Sequence, residues 1–289
     1  MSNTIELAKS FVPKLDECYR LASLTSVLDG APELAKQGAN ANELIIPMMS
    51  MDGLADYSRN GGYVQGGVTM TNETVKCNFD RGRRFDVDVM DDLETAGLAF
   101  GRLSAQFIRD KVVPELDAFR FASYCDISGV TKKEETLADG AATVAALSVA
   151  VTAMDDEEVP ATGRYLFITP TLLQGINDMD TTKSKKVLEG FEQVIKVPQR
   201  RFYTAIKQLS GKTGEEAGGY TKATGAANIN FAIVQKDALI QYTKHAAPKI
   251  IVPENNPDAD AYVFGYRMVG IAKAYKNMLS GMYFSHDKA

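Results

Sequence analysis

The 289 residues predict an α+β fold. Three observations carry that reading. Short apolar runs of strand length and longer helical stripes are mixed without the regular βαβ alternation of a doubly wound sheet. A sustained amphipathic stripe begins after Asp91. The segment between Tyr63 and Met90 reads as a long hairpin with dense charge of both signs, its return strand Arg83–Met90 alternating with period 2. Composition is that of an ordinary globular chain, 45% hydrophobic and 24% charged. The formal net charge of -5 argues against a general nucleic-acid binder, whose affinity comes from clustered Lys and Arg.

In chain order, residues 1–42 have weak helical character. Phe11, Leu15, Cys18, Tyr19 and Ala22 recur at helical spacing, and Gly30, Pro32 and Gly38 interrupt it. An arm on a neighbour and an ordinary N-terminal helix both fit. ELIIPMMSM (43–51) is a short strand that Pro47 confines to an edge or bulge. Residues 68–79 and 83–90 read as the arms of a hairpin turning at Asp80-Arg81-Gly82. In the return arm Phe85, Val87 and Val89 face one way with Arg83, and Arg84, Asp86, Asp88 and Met90 the other. An isolated hairpin is marginal in water, so a long charged one needs a second surface, such as another subunit.

Asp91 with Glu94 resembles a capping box, with Asp replacing the usual Ser or Thr. Leu93, Ala96, Phe100, Leu103 and Phe107 then follow helical spacing. Pro114 is expected to kink or end that helix, and residues 115–124 to form a second segment. A turn near Gly129 precedes a helix over 137–154. RYLFIT (164–169) is the best buried strand, and Pro170 suits the first turn of the helix after it. Weaker strands are expected at 194–197 and 201–205, a mobile Gly/Lys/Thr-rich loop at 207–227, strands at 231–242 and 249–252, and two strands over 261–284 joined around Asn277.

No catalytic constellation is visible, and the chain is not expected to be an enzyme or to hold a cofactor or metal. Gly211-Lys212-Thr213 copies the tail of a phosphate-binding loop, but the required preceding glycine is Ile206. Asp86, Asp88 and the acidic run 155–158 have cation-ligand chemistry; ion pairing with Arg83 and Arg84 is the simpler use of the first pair, and solvation of the second. His245 has no acid or serine near it in sequence. Cys18, Cys77 and Cys125 are odd in number and widely spaced, which suits buried thiols in a reducing compartment. Asn72-Glu73-Thr74 is an inert sequon in a chain without a signal peptide. Planar, bidentate pairing at a subunit contact is the expected role of Arg81, Arg83 and Arg84 with Asp86 and Asp88.

The strings DGLADYSRNGGYVQGG, DRGRRFDVDVMDDLET, KVVPELDAFRFASY, VPATGRYLFITP and VFGYRMVGIAKAYKNMLSGMYF, in that order, resemble the major capsid proteins of tailed bacteriophages with the Hong Kong 97-like fold. The resemblance implies an N-terminal arm over 1–42, an extended loop over 43–90, a peripheral domain with a spine helix over 91–156, an axial domain over 157–255 and a return to the peripheral domain over 256–289. It also implies a homo-oligomer of pentamers and hexamers closing into an icosahedral shell around double-stranded DNA. Such a shell is assembled in the bacterial cytoplasm, away from membranes, with a portal and, given the short leader, a separate scaffolding protein. An encapsulin-like nanocompartment shell and a phage tail or decoration component are the alternatives, with a soluble enzyme of dispersed site the remaining one.

Overall fold

The computed structural model describes residues 23–30, 36–37, 43–90, 98–179 and 182–288. Strands β1 (Lys36–Gln37), β2 (Glu43–Met51) and β3 (Val68–Lys76) form an antiparallel ribbon in the order β1-β2-β3. Strand β4 (Phe79–Asp88) leaves that ribbon. A continuous helical rod follows: α1 (Leu98–Phe107), a π-helical turn (Ile108–Val112) and α2 (Val113–Asp126). After β5 (Thr131–Glu134) come α3 (Gly140–Asp156), β6 (Arg164–Ile168), α4 (Pro170–Asp178), α5 (Thr182–Glu189) and β7 (Gln193–Lys196). The chain continues through β8 (Ile206–Gln208), β9 (Tyr220–Lys222), β10 (Ile229–Gln235), β11 (Leu239–Ile251), β12 (Ala261–Ala274) and β13 (Met282–His286).

The hairpin expected around Asp80-Arg81-Gly82 does not form. β3 pairs with β2, from Met51 opposite Val68 to Glu43 opposite Lys76. β4 pairs instead with β12, with Gly82 opposite Arg267 in mid-strand. Gly82 marks a close approach rather than a turn, because a Cβ there would lie 2.7 Å from the Tyr266 carbonyl oxygen. The alternation itself is real. Phe79, Arg81, Phe85 and Val87 turn inward, and Asp80, Arg84, Asp86 and Asp88 outward.

Two sheets share the rod. The long sheet, in the order β11-β12-β4, receives Ile108, Val113 and Leu116 on Phe79, Phe264, Tyr266 and Met268. Phe107 stands edge-on to Phe85, with ring centroids 4.8 Å apart. The five-stranded sheet, in the order β5-β13-β10-β6-β7, receives the second half of the rod through Phe121 and Tyr124 on Phe167 and Phe284. Its other face is covered by α3 and α4, with Leu147, Met154 and Ile176 on Leu166, Ile168 and Phe231. β6 and β10 are therefore buried on both faces, which is why they read as unbroken apolar runs.

Several expectations are corrected. Pro114 does not end the helix. It sits in the first turn of α2, directly after the π-helical turn, whose altered hydrogen-bond spacing accommodates the missing donor. The helix expected at 137–154 starts at Gly140, capped by Asp139, which accepts from the Ala142 amide at 2.8 Å. Residues 201–205 hold the end of a 3-10 turn and one isolated bridge, Tyr203 to Asn228, instead of a strand. The loop expected at 207–227 includes the β8–β9 pair. The 231–242 strand is two strands in different sheets, separated by a 3-10 turn at Lys236–Ala238, and β11 absorbs the strand expected at 249–252. The expected domain limits at 156/157 and 255/256 do not follow the sheets, since β11 belongs with β12 and β13 with β10. Likewise, β4 lies outside the ribbon that 43–90 was expected to form. The capping box at Asp91 and Glu94, with Leu93, Ala96 and residues 1–22, lies outside the described residues.

Segment 23–30 is fastened to the rod by apolar contact, Leu28 lying buried with Phe121 and Tyr124 and Leu24 and Val27 packing beside them, and by a buried charge cluster. Asp117 is fully buried and accepts from Ser23 Oγ (3.0 Å), Thr25 Oγ1 (2.7 Å) and the Leu24 and Thr25 amides (3.1 and 3.3 Å). Arg201 Nη1 pairs with it at 3.2 Å. One turn on, buried Arg120 donates to Thr25 Oγ1 (2.8 Å), Asp29 (3.2 Å) and Thr243 Oγ1 (3.3 Å). Gln241 closes the cluster onto Thr25 O, Asp29 and Tyr124. Removing one member of such a group strands buried charge. Asp117→Ala should therefore lower subunit stability by about 3–5 kcal/mol in denaturant unfolding, and the exposed Arg84→Ala should leave it unchanged. Equal effects from the two would contradict the latch.

Candidate interaction surface

Among the described residues the ribbon is anchored at its base. Val75 is buried against Ile240 and Ile271. Asn78 acts as a surrogate strand, its amide donating to Ala272 O at 2.9 Å and its carbonyl accepting from the Ala272 amide at 3.0 Å. Beyond that base the side chains lose cover. Met49, Met51, Val68 and Met70 are all more than half exposed along β2 and β3, as are Leu54, Tyr57, Tyr63 and Val64 around the end loop. The loop is nevertheless ordered by its own bonds. Asp52 Oδ2 accepts from the Gly67 amide at 2.7 Å, Ser58 Oγ from the Gly61 amide at 2.8 Å, and the Tyr57 and Tyr63 rings lie 4.9 Å apart. An apolar surface held in shape without cover is the mark of a docking element.

The charged strand divides its labour. Arg81 turns inward and pairs with Glu115 at 2.8 Å, also donating to the Leu209 and Gly219 carbonyls. Arg83 donates to the Glu216 carbonyl at 2.8 Å and packs against Gly211 and Gly218. Both glycines have positive φ, and a Cβ on either would crowd the guanidinium. Arg84 and Asp86 pair with each other at 2.8 Å on the exposed face, and Asp88 accepts from the Met90 amide. So Arg81 and Arg83 tie β4 to the β8–β9 segment of their own chain, and Arg84, Asp86 and Asp88 remain at the surface.

Between β4, the π-helical turn and the β8–β9 segment lies an open cleft of about 1190 Å³. Arg81, Arg83, Arg84, Lys111, Arg200 and Lys222 line it, against Asp110 and Glu115 as its carboxylates. The phosphate-loop echo at Gly211-Lys212-Thr213 belongs to the turn after β8, with no helix behind it. Among the described residues no group of His, Cys, Asp and Glu could hold a metal ion, and no helix is long and apolar enough to cross a membrane. Cys77 and Cys125 are free thiols, and burial raises Cys125 to about 11.

Sequence reading missed the functions of Glu115, Asp117 and Arg120. The signal was present: three charged residues within two turns of a helix whose other positions are nearly all apolar. A helix that is buried all round must satisfy such charges internally. The strands at 43–51 and from 68 onward form where the sequence places them, but the pairing differs, because 68–76 pairs with 43–51 and not with 83–90.

The fold has many solved counterparts. A virus-like particle from Pyrococcus furiosus aligns over 97% of this chain and 99% of its own, with TM-score 0.62 and 10% identity. The capsid of Helicobacter pylori bacteriophage KHP30 aligns over 93% and 91%, with TM-score 0.58 and 11% identity. The capsid of Cyanophage P-SCSP1u aligns over 88% and 86%, with TM-score 0.57 and 11% identity. No family model and no curated protein matches the sequence. The chain thus has the fold of phage capsid proteins.

Burial holds the Glu115 carboxyl above the usual carboxylate range, with Arg81 pulling it back. The folded chain keeps that proton to higher pH than the unfolded chain does. Its contribution to stability therefore falls as pH rises from the ordinary glutamate value through the raised one. Glu115→Gln should flatten that part of the unfolding profile, measured by denaturant titration across acidic pH; an unchanged slope would contradict this assignment.

Proposed function

We propose that this chain is the repeating subunit of a phage head, a major capsid protein of the Hong Kong 97-like type. It assembles into pentamers and hexamers of an icosahedral shell around double-stranded DNA. The observation that carries this reading is the far part of the ribbon, where Met49, Met51, Val68 and Met70 and the end-loop residues Leu54, Tyr57, Tyr63 and Val64 are exposed, on a body with the capsid fold. In this reading the ribbon is the extended loop, the rod over 98–126 the spine helix, the long sheet the peripheral domain, and the five-stranded sheet with α3–α5 the axial domain. A portal and a separate scaffolding protein are its partners in assembly, which takes place in the host cytoplasm.

The mechanism follows from the geometry. Each copy lays its ribbon on a neighbour and receives one in turn, a heterologous contact that generates closed rings and shells. Burying apolar surface stabilises by roughly 25 cal/mol per Å², so a single ribbon contact is modest. Closure makes many such contacts simultaneous, and their sum holds the shell. Arg84, Asp86 and Asp88, exposed beside the ribbon's root, are available for pairing across that contact. A nanocompartment shell of the encapsulin kind is the second reading, favoured by the nearly complete overlap with the Pyrococcus furiosus particle.

Negative-stain microscopy of the overexpressed chain should show closed shells. The double variant Met51→Asp, Val64→Asp should keep the wild-type unfolding midpoint, because both side chains are already exposed and do not face each other across the ribbon, yet lose particles. Rings or tubes from the wild type would point to a tail component, and a small oligomer under all conditions would overturn the proposal.

A further inference from the structure

The basic cleft has an opposite on the same molecule. Within it, Arg83, Lys111, Arg200 and Lys222 have no carboxylate at pairing distance among the described residues. Arg83 meets a carbonyl and Lys222 meets Asn228 Oδ1 at 2.9 Å. At the far end of the long sheet, where β4 stops and β12 starts, the turn over 253–260 presents Glu254, Asp258 and Asp260. All three are exposed, and among the described residues none of their carboxylates has a hydrogen-bond or ion-pair partner at pairing distance, Arg84 acting on Asp258 from farther off. Asp86 and Asp88 stand on the adjoining strand.

The acidic turn is a pre-shaped knob. Asn256 Nδ2 donates to Ala261 O at 3.0 Å, the Asp258 amide to Asn256 Oδ1 at 3.3 Å, and the Asn256 amide to Pro253 O at 3.0 Å. Pro253 and Pro257 stiffen it further. The knob thus has little conformational freedom to lose on docking. The cleft matches it in kind as well as sign, since Phe85, Leu103 and Phe107 supply apolar wall beneath the cations. Within one chain the two patches meet at Arg84, which feels the Asp258 carboxylate, whereas no knob carboxylate pairs with Arg83, Lys111, Arg200 or Lys222 among the described residues.

We propose that the acidic knob of one copy seats in the basic cleft of another. The inference rests on the shell reading and deepens it by naming a second, electrostatic contact beside the ribbon. A nucleic acid is the less favoured occupant, because Asp110 and Glu115 lie in the cleft where a phosphate backbone would run. Charge complementarity of this kind sets register and association rate, and salt screens it.

Charge reversal tests the pairing. Asp258→Lys with Asp260→Lys reverses the knob, and Lys111→Glu with Arg200→Glu reverses the cleft; all four side chains are exposed, so both variants should unfold like the wild type. Each alone should need at least about tenfold more protein to assemble at low salt, and their equimolar mixture should assemble like the wild type. A mixture no better than either variant, or single variants indistinguishable from the wild type, overturns the proposal. A second readout separates the pairing from the shell. Asp258→Cys mixed with Arg200→Cys should give an inter-chain disulfide under air oxidation, absent from either variant alone, whatever the size of the assembly. Shells without that cross-link sink the pairing, and the cross-link without shells sinks only the shell reading. Loss of single-stranded DNA retention in the cleft variant with assembly unchanged would make the cleft a nucleic-acid site and also overturn the proposal.

Discussion

A buried carboxylate and a buried guanidinium one turn apart hold this molecule together. Asp117 and Arg120 lie in the middle of the rod, where one sheet ends and the other begins, and neither charge reaches water. Their partners come from segment 23–30, from Arg201 after β7 and from β11. Three parts of the chain distant in sequence are thereby fixed to one helix face. Apolar packing alone is tolerant of sliding, whereas a charge cluster of this density accepts a single arrangement. Glu115 extends the same logic to β4 through Arg81. The rod, both sheets and the β8–β9 segment consequently behave as one body.

Against that body the ribbon stands out by what it lacks. Its root is tied by Val75 and by the paired bonds of Asn78, and its end loop is shaped by local bonds, yet its apolar side chains touch little of the chain. A densely bonded body with an ordered apolar arm suits the proposed building by addition of copies, in which the arm would supply area and the charged patches direction.

Much of this was readable in the residues, and the failures have physical causes. The two-sided burial of β6 showed in RYLFIT, and the Phe107 stripe showed which side of the rod meets the long sheet. β4 betrayed its alternation but not its partner, because β12 lies about 180 residues away and period 2 says nothing about pairing. Gly82 read as a turn because glycine does two jobs, and only the position of Tyr266 O reveals which one applies. Pro114 read as a stop because the π-helical turn that accommodates it leaves no mark in composition. The five charged residues expected at a subunit contact differ in their contacts within the chain. Arg81 and Arg83 bind their own chain, and the sequence offered no means to separate them from Arg84, Asp86 and Asp88.

Hydrogen exchange of the backbone, followed in isolated subunits and again in assembled material, tests the central claim most directly. Amides of the rod and of β6 and β10 should be protected in both states. The ribbon over 43–76 should exchange rapidly in the isolated subunit and become protected on assembly, because its cover comes from another copy. Equal and strong protection of the ribbon in the isolated subunit would mean that the chain covers its own arm, and the account would be wrong.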